Sequence, residues 1–418
     1  MKASGCRLAS FYHSENELAN IHRPAYEVGA QLRTQEPFPK SMPSGTTILP
    51  IARQPSDIRR FLAVAERVYK NDSHWVAPLR QDRLKTFSDA NPFFAHASMQ
   101  LWVARRKGRD VGRIAGIINR LYNQRQDLKT AFFGFFESEN EPDTSQRLFQ
   151  AVDTWARQQG FKRVMGPVNP STNDECGLLV DGFNAPPVFM MPYNPPYYAD
   201  LLRASGFQGA MDLLAYHIDL KQTPLDRLKR IQERFQKRHP DITVRPLRRD
   251  IFWEDLEKIR RIYNDAWENN WGFVPMTDGE IRFMANRLKP LLVEGLVWIA
   301  ETEREPVGFL LAVPDFNQPL KPLNGRLLTP RVLKFLPYLF GWKTPEVARV
   351  MVLGVKKSFR RRGVESVMLA NGLKTGADIG LRACEASWVL ENNFRSRRVI
   401  EIFGGTPYKT YRLYDRAL

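Results

Sequence analysis

The residues best suited to chemistry lie in a short cationic turn at positions 356–363, with the sequence KKSFRRRG. This basic turn contains three consecutive arginines, Arg360, Arg361 and Arg362. The run before it, 348–355, is apolar and rich in β-branched residues, which predicts a strand buried on both faces. Apolar residues recur at helical spacing from Val364 onward. Because a helix N-terminus presents unpaired N–H groups and partial positive charge, this arrangement favours binding of a phosphate or pyrophosphate.

The spacing of the basic turn excludes two common phosphate-binding motifs. The Walker pattern needs a Gly-Lys-Ser/Thr sequence, and the dinucleotide fingerprint needs three glycines where this turn offers only Gly363. What remains is the spacing Arg360-x-x-Gly363-x-Glu365. A short pattern of this kind leaves an ordinary basic strand-to-helix turn open as the alternative.

The composition indicates an anionic partner. The 418 residues include 62 Lys and Arg against 45 Asp and Glu, which gives a formal net charge of +17. A nucleotide-like cofactor, nucleic acid or a phospholipid surface would fit this charge, and nucleic acid is least favoured because no recognised motif accompanies it. Three distant cysteines and six scattered histidines predict no disulfide framework and no metal site, which suits a cytoplasmic protein. No apolar run reaches the roughly 18 residues of a membrane span.

Landmarks of the first half of the chain return in the second half. Trp102, Ala104, Val111 and Gly112 recur 196 positions later as Trp298, Ala300, Val307 and Gly308. Gly206 and Gly404 are 198 positions apart, and each closes a predicted helix before a tyrosine-bearing strand. Since the order of predicted strands and helices also matches, we infer the duplication of one domain of about 175 residues.

The predicted fold is α/β (α+β), with two tandem domains that each contain a mixed, mostly antiparallel sheet flanked by helices. Residues 1–44 lack apolar periodicity and are predicted to form a disordered leader. The first domain is predicted at 45–220 and the second at 243–418. A linker helix is predicted at 221–242, with an apolar stripe on one face and Arg and Lys on the other.

The spacing Arg360-x-x-Gly363-x-Glu365 resembles the pyrophosphate loop of the GNAT superfamily of acyl-CoA-dependent N-acyltransferases, which reads Gln/Arg-x-x-Gly-x-Gly/Ala. Glu365 departs from that pattern, because a carboxylate stands where the family has a small residue. The resemblance implies a GNAT-like fold for both domains and acyl-CoA, either acetyl-CoA or long-chain acyl-CoA, as co-substrate. It implies that the pantetheine arm contacts Leu353, Gly354 and Val355, and that the pyrophosphate contacts Arg360, Arg361, Arg362, Gly363, Val364 and Glu365.

Residues 391–404 resemble the second motif of the same superfamily, Asn-x-x-Ala-x-x-Leu-Tyr-x-x-x-Gly-Phe. Asn393 falls on the Asn, whereas the family's Tyr, a common general acid for the leaving thiolate, is replaced by Ile400, which cannot donate a proton. Glu391 is the expected base or amine-positioning group, with a helix cap as its alternative role. The remaining proton sources are Tyr408, Tyr411, a side chain of the 267–273 loop, or water.

The first domain lacks the phosphate-binding turn. At the matching place, 137–146, the chain reads ESENEPDTSQ, which is acidic, has no glycine and would repel a pyrophosphate. The first domain is therefore predicted to be structural or to bind the acceptor. Its long segment at 166–198 is dense in Pro, Asn and aromatic residues and is typical of a functional loop, with an interdomain clamp as the alternative. The residues expected to bind a cationic amine are Asp174, Glu175, Tyr193, Asn194, Glu268 and Trp271.

From about residue 47 the chain resembles a bacterial subgroup of tandem GNAT-like proteins, in which some members N-acylate sphingoid bases to form ceramides. The segments NWGFVP and VLENN add to the motifs above. The resemblance implies an acyl-CoA-dependent N-acyltransferase whose primary-amine acceptor is a sphingoid-type lipid, a small amine or a protein. A binding protein that kept the fold and lost catalysis is the competing hypothesis, motivated by Glu365 and Ile400.

An insertion at 314–344 is predicted only in the second domain. Its segment 327–343, LLTPRVLKFLPYLFGWK, interleaves aromatic and aliphatic residues with Arg and Lys. This mixture suits a membrane interface or a lid packed over the sheet. Peripheral contact with the inner face of the membrane is therefore expected as one possibility for a cytoplasmic protein.

Overall fold

One mixed β-sheet extends through the computed structural model, which describes residues 45–126, 128–223, 225–268 and 270–418. The predicted leader, 1–44, lies outside the described residues. Within them the strands are β1 (Thr46–Ile51), β2 (Ala97–Arg106), β3 (Arg109–Asn119), β4 (Thr130–Ser138), β5 (Arg163–Gly166), β6 (Val168–Asn169), β7 (Glu175–Cys176), β8 (Leu178–Asp181), β9 (Gln208–Asp219), β10 (Thr243–Pro246), β11 (Val297–Glu301), β12 (Pro306–Pro314), β13 (Val347–Val355), β14 (Ala383–Leu390) and β15 (Thr406–Ala417).

Helices pack on this sheet or connect its strands. In the described residues the α-helices are α1 (Pro55–Val68), α2 (Arg80–Phe87), α3 (Arg120–Gln126), α4 (Pro142–Gln158), α5 (Tyr198–Ala204), α6 (Leu225–Arg238), α7 (Phe252–Ala266), α8 (Asp278–Leu288), α9 (Asn317–Leu320), α10 (Leu336–Leu339), α11 (Val364–Asp378) and α12 (Phe394–Ile402).

The two halves of the chain repeat the same strand order. Strands β1 to β4 pair antiparallel with their neighbours, as do β10 to β13, whereas β4–β5 and β13–β14 are parallel. Ala104 lies opposite Gly112 in the β2–β3 pair, and Ala300 lies opposite Gly308 in the β11–β12 pair. Residues 196 positions apart thus occupy equivalent places in the two halves. The predicted fold class, two tandem domains with mixed and mostly antiparallel sheets, is confirmed.

The last strand of each half pairs with a strand of the other half. The order across the sheet is β1-β2-β3-β4-β5-β15-β9-β14-β13-β12-β11-β10, with β8 also paired to β15. Strand β15, from the end of the chain, pairs antiparallel with β5, and β9, from the first half, pairs antiparallel with β14. The two exchanged strands pair with each other at the centre. The predicted domain boundaries stay a prediction, and the hydrogen-bonded sheet is continuous across them.

Helices α4 and α11 cover equivalent parts of the sheet. Helix α4 packs against β3 through Leu148, Phe149 and Val152, which recur at helical spacing and are fully buried. Helix α11 packs on β11 to β13, and α6 packs on α11 with Phe235 buried. The opposite face of α6 exposes the predicted basic residues Arg227, Lys229, Arg230, Arg234, Lys237 and Arg238. Helix α6 accounts for the helical part of the predicted linker.

The insertion connects β12 to β13 through α9, α10 and short 3₁₀ turns. Its buried side chains are Phe316, Leu320, Leu323 and Phe335. They pack against the first half of the chain, where Leu79 and Phe189 contact them. None of the helices in the described part of the chain combines the length and apolar character needed to cross a membrane.

Candidate active site

A cleft opens where β13 and β14 part. The parallel pairing of the two strands ends with Val350 opposite Ala386, although β13 continues to Val355 and β14 to Leu390. An irregularity in β14 between Ala386 and Val389 shifts its register against β9 at the same level. A cavity of about 200 Å³, the first cavity, is lined by both diverging strands. The separation leaves backbone groups of β13 available to a ligand.

The basic turn lies at the end of β13 and leads directly into α11. Gly363 has a φ of 87° and forms the N-cap, so a side chain there would be strained. Within the described residues, the backbone N–H groups from Arg361 to Ser366 have no backbone acceptor, and the first bond of the helix runs from Val367 N to Gly363 O. Those amides, at the positive end of the α11 dipole, can receive an anion.

The three arginines of the basic turn differ in what they contact. The guanidinium of Arg360 donates to the carbonyl oxygens of Val355 (3.3 Å) and Ala266 (2.5 Å), so it fixes the shape of the turn. Arg361 and Arg362 are exposed, and Arg362 lies over the ring of Phe359 at 4.8 Å. Arg361 and Arg362 therefore remain available to a phosphate.

Glu365 stands in the first turn of α11, next to the unpaired amides. No hydrogen bond or ion pair is formed by its side chain within the described residues. The residues predicted to bind the cofactor, from Leu353 to Glu365, thus lie together at one end of the cleft, and Leu353 itself lines the first cavity.

Gly354 permits an aromatic ring to lie against β13. A Cβ atom on this residue would stand 2.0 Å from Cη2 and 2.2 Å from Cζ3 of Trp267. The indole of Trp267 stacks on Tyr263 at 4.9 Å and lines the first cavity together with Trp271 and Phe273. The aromatic loop predicted at 267–273 therefore forms one wall of the cleft.

Another part of the cleft lining comes from the first half of the chain. Asp174 lines the first cavity and accepts a hydrogen bond from Ser171 Oγ at 2.8 Å. Burial raises the pKa of the Asp174 carboxyl from its usual value to about 6. The neighbouring Asn173 accepts a bond from the hydroxyl of Tyr263 (3.0 Å) and donates to Val274 O (3.1 Å). The wall contributed by the first half is thus bonded to the aromatic loop of the second half.

The acceptor residues predicted from sequence are divided among three places. Asp174 and Trp271 line the first cavity. Glu175, Tyr193 and Asn194 line a second cavity of about 600 Å³. Glu268 is exposed and accepts from the Lys357 ammonium at 2.6 Å, which contributes to a lowered pKa of its carboxyl. Glu268 therefore pairs with the basic turn outside both cavities.

The predicted catalytic residues are also divided. Asn393 lines the first cavity, and its Oδ1 accepts from Ser396 N at 3.2 Å as the N-cap of α12. Glu391 is exposed and accepts from Asp212 N at 3.2 Å. The hydroxyl of Tyr408 donates to Glu385, and burial raises the Tyr408 pKa. Of the three, only Asn393 lines the first cavity in the described part of the chain, and Ile400 lines it in the place of the family's Tyr.

Arg349 is a residue of this site that sequence reasoning missed. Its buried guanidinium donates to Ser387 Oγ (2.9 Å) at the irregularity in β14, and to the carbonyl oxygens of Phe189 (3.1 Å) and Met190 (2.8 Å). The signal in the sequence was a single cation inside an otherwise apolar strand, since a buried charge requires partners.

Two further buried ionisable groups hold the same segment, residues 186–191, which we call the anchored loop. The Lys409 ammonium donates to Pro186 O at 2.6 Å, and burial lowers its pKa. The Asp315 carboxylate accepts from Phe189 N at 2.8 Å, and burial raises its pKa to about 7. The anchored loop lies between the cavities, because Met190 lines both.

The second cavity is largely apolar and is closed on one side by the insertion. Leu327, Val332, Phe335 and Leu336 of the insertion line it. Its polar lining includes the buried pair of Arg113 and Glu137 (3.2 Å), and the hydroxyl of Tyr198 donates to Glu137 at 2.7 Å. A cavity of this size and character is suited to a ligand with a long apolar portion.

The matching turn of the first half, before α4, is acidic in the described residues. Glu139 and Glu141 stand in the turn before α4, and Glu139 pairs with Arg106 at 2.6 Å. In the described residues, no group of three or more His, Cys, Asp or Glu side chains is placed to hold a metal ion.

Comparison with known proteins relates most of the chain to two relatives and its second half to one family. Residues 256–404 match the family described as "Acetyltransferase (GNAT) family". The chain is 34% identical over 379 residues to Protein YghO of Escherichia coli (strain K12), which covers 87% of this chain and 93% of that protein. It is 34% identical over 388 residues to the bacterial ceramide synthase of Caulobacter vibrioides (strain NA1000 / CB15N), which covers 89% of this chain and 97% of that protein.

Among solved structures, a tandem GNAT protein from the clavulanic acid biosynthesis pathway, without AcCoA, has a TM-score of 0.54 and 11% identity. The match covers 89% of this chain and 98% of that chain. This likeness shows the fold.

Proposed function

This chain belongs to the GNAT family of acyltransferases in its tandem form, and we propose that it transfers a long-chain acyl group from acyl-CoA to the primary amine of a sphingoid-type lipid. The observation that carries the proposal is the adjacency of two cavities. The first cavity is lined by Leu353, near the end of the strand that leads into the basic turn, and the second is large and apolar, with Met190 lining both. The likeness to a protein named bacterial ceramide synthase supports a sphingoid-type acceptor for this chain.

Acyl-CoA fits the cleft on three grounds. The unpaired amides ahead of Val367 would hold the pyrophosphate, with Arg361 and Arg362 adding positive charge. The freed edge of β13 from Leu353 to Val355 would bond the pantetheine arm. The first cavity between β13 and β14 would then hold the thioester. We expect the Glu365 carboxylate, which stands in the first turn of α11 beside these amides, to weaken the binding of the diphosphate.

Asp174 is the residue that we assign as general base. A primary ammonium has to lose a proton before its nitrogen can attack the thioester carbonyl carbon. With a pKa of about 6, the Asp174 carboxylate is mostly ionised at neutral pH and can bind the ammonium and accept its proton. The C–N bond then forms, the C–S bond breaks, and the nitrogen loses a second proton to water or to the departing sulfur, so that an amide and CoA result.

The leaving thiolate needs no dedicated acid in this scheme. A thiol has a pKa of about 8.5, so its conjugate base is a tolerable leaving group near neutral pH. Water or the proton taken up by Asp174 restores the thiol. This scheme accommodates Ile400, which lines the first cavity and has no proton to give.

A catalytically inactive acyl-CoA-binding protein is the second candidate function. Ile400 in the place of a proton donor and Glu365 beside the phosphate site favour it. The two functions differ in turnover and not in the binding of acyl-CoA.

The test titrates palmitoyl-CoA and acetyl-CoA and follows thiol release with a long-chain amino alcohol or a short amine. The variant Arg361→Ala/Arg362→Ala removes two exposed charges at the turn, and Arg230→Ala/Arg234→Ala removes two from the exposed face of α6 as the matched control. We expect the first variant to weaken palmitoyl-CoA binding about tenfold or more and the control to leave it unchanged.

Release of thiol with the long-chain amine would support the proposed transfer. Binding of palmitoyl-CoA without turnover under any amine would favour the binding protein. Turnover with short amines alone would contradict the lipid acceptor, and equal binding by all three proteins would contradict the assignment of the phosphate site.

A further inference from the structure

The insertion exposes an unusual concentration of large apolar side chains. Leu328, Leu333, Phe340 and Trp342 have exposed fractions of 92%, 66%, 61% and 77%. All four lie within fifteen consecutive positions, and the rings of Phe340 and Trp342 are 5.4 Å apart. Removing such side chains from water would be strongly favourable. A cluster of exposed apolar side chains is typical of an interaction surface.

The same segment is uniformly basic. Positions 321–343 contain five Lys and Arg residues and no Asp or Glu. Arg326, Lys334 and Lys343 are exposed, and none of them has an acidic partner among the residues that the structure describes. An unneutralised cluster of positive charge beside apolar side chains complements a surface with negative headgroups over an apolar interior.

The other face of the segment is buried. Phe335 packs with Phe316 and Leu323, and Leu327, Val332 and Leu336 line the second cavity. The segment therefore has two faces, one fixed to the protein and one unpartnered. The buried side chains of the inner face fix the insertion to the protein. The exposed apolar side chains of the outer face do not contribute to that packing, so they require another explanation.

We propose that Leu328, Leu333, Phe340 and Trp342, with the surrounding Arg and Lys residues, form a docking surface for an anionic phospholipid bilayer. The apolar side chains enter the boundary between headgroups and acyl chains, where aromatic rings are favoured. The basic residues contact the headgroups. The docked insertion then places the second cavity directly behind the bilayer surface.

The experiment measures binding of the full chain to vesicles by co-sedimentation. Vesicles of phosphatidylglycerol and phosphatidylcholine are compared with vesicles of phosphatidylcholine alone, at low and high salt. The test variants are Phe340→Ser/Trp342→Ser and Lys334→Glu/Lys343→Glu. The matched controls are Trp253→Ser, a part-exposed aromatic beside Lys289 and Arg282, and Arg230→Glu/Arg234→Glu on the basic face of α6.

We expect the wild type to bind anionic vesicles, with binding that weakens as salt rises. Each test variant should weaken that binding about tenfold or more, and each control should change it less than threefold. Because the altered side chains are exposed, the melting temperatures should match that of the wild type.

Four results would overturn the proposal. The wild type could fail to sediment with anionic vesicles, or the test variants could bind as well as it does. The Arg230→Glu/Arg234→Glu control could instead abolish binding, which would show that the vesicles are attracted by the overall positive charge and not by the insertion. A dimer that Phe340→Ser/Trp342→Ser dissociates, without vesicle binding, would assign the surface to a second copy. None of these measurements depends on acyl transfer. A negative result would therefore contradict the docking surface without contradicting the proposed function.

Discussion

The charge of Asp174 decides what the first cavity can do. Its carboxyl is buried beside Ser171, and the pKa of about 6 means that the group changes charge within the range where enzymes are assayed. A buried carboxylate that faces a cleft is suited to attract a cationic amine and to accept its proton. The same burial makes the ionised form costly for the folded protein.

The substitution Asp174→Asn should separate the role of the carboxylate in catalysis from its cost to the stability of the folded protein. Loss of a general base is expected to lower kcat by about 100-fold or more, while the amide keeps the bond from Ser171. The wild-type kcat/KM should fall below pH 6 as the carboxyl is protonated, and the variant should lack that limb. A measured pH profile for both proteins checks this, and an unchanged kcat would remove Asp174 from the chemistry.

The difference in stability between Asp174→Asn and the wild type should depend on pH in a defined direction. Because the folded-state pKa is raised above the unfolded value, the favourable contribution of the protonated group is complete below about pH 4 and is lost as pH rises through about 6. The asparagine variant does not ionise. Its free energy of unfolding relative to wild type should therefore rise by about 1 kcal/mol or more between pH 4 and pH 8 in urea titrations.

Gly354→Ala tests the contact between β13 and the aromatic wall. The added methyl would lie 2.0 Å from Trp267 Cη2, so the indole has to move within the cleft. We expect the dissociation constant for acyl-CoA to rise about tenfold and stability to fall by about 1–3 kcal/mol. Gly45→Ala is the control, because nothing lies within 4 Å of its added Cβ.

A second substitution makes the Gly354→Ala test specific. Trp267→Phe in the Gly354→Ala background removes the atoms that clash, and it should restore part of the lost affinity. If Trp267→Phe only adds to the loss, the two residues do not act through this contact.

At the scale of elements, the anchored loop depends on three buried ionisable groups. Arg349, Lys409 and Asp315 bond its backbone at different points, and each comes from a different element or its end. Buried charges of this kind are retained only where they are bonded, so the loop and the groups stabilise each other. Since Met190 lines both cavities, the anchored loop sets the wall between them.

Arg349→Lys should loosen this loop without removing the charge. A lysine ammonium cannot reach Ser387 and the carbonyl oxygens of Phe189 and Met190 together, so buried acceptors lose their donors. We expect a loss of about 2–4 kcal/mol in stability and faster amide exchange in peptides that cover 186–191. Arg382→Lys, in an exposed pair with Glu346, should change neither measurement.

Elements that have a local pattern in the sequence were predictable. The site was less so, because it depends on contacts between distant segments, which leave no local pattern in the sequence. The β13 strand, the basic turn and α11 appear in the sequence as an apolar run, a charge cluster and helical spacing, and the structure contains them. The second cavity has no such signature, because its lining comes from segments as distant as Leu62 and Leu336. Glu391 and Asn393 are two residues apart, yet only Asn393 lines the first cavity, because β14 has ended at Leu390 and Asn393 is already the N-cap of α12.

At the scale of the whole molecule, the exchange of β9 and β15 joins the two halves. Each of these strands completes the sheet of the half to which it does not belong in sequence. Tyr411, Leu413 and Tyr414 of β15 are buried at 2% exposure or less, so the exchange also completes the cores. The first cavity shares this dependence, because residues of both halves of the chain line it.

The exchange predicts that the halves fold together and not separately. Residues 45–223 and 225–418, expressed as two chains, would each present strands whose partners lie on the other chain, and unpaired edges of this kind are aggregation-prone. We expect each fragment alone to aggregate and the two together to co-purify as a stoichiometric complex.

The complex should also restore the cleft, so palmitoyl-CoA binding is the second measurement, and Arg361→Ala/Arg362→Ala in the second fragment should weaken it. Amide exchange then distinguishes pairing from simple adhesion, because β5 and β14 should be protected in the complex only if β15 and β9 lie beside them. Fragments that fold singly, with β5 and β14 already protected, would mean that each half closes its own sheet and that the cleft needs no exchanged strand.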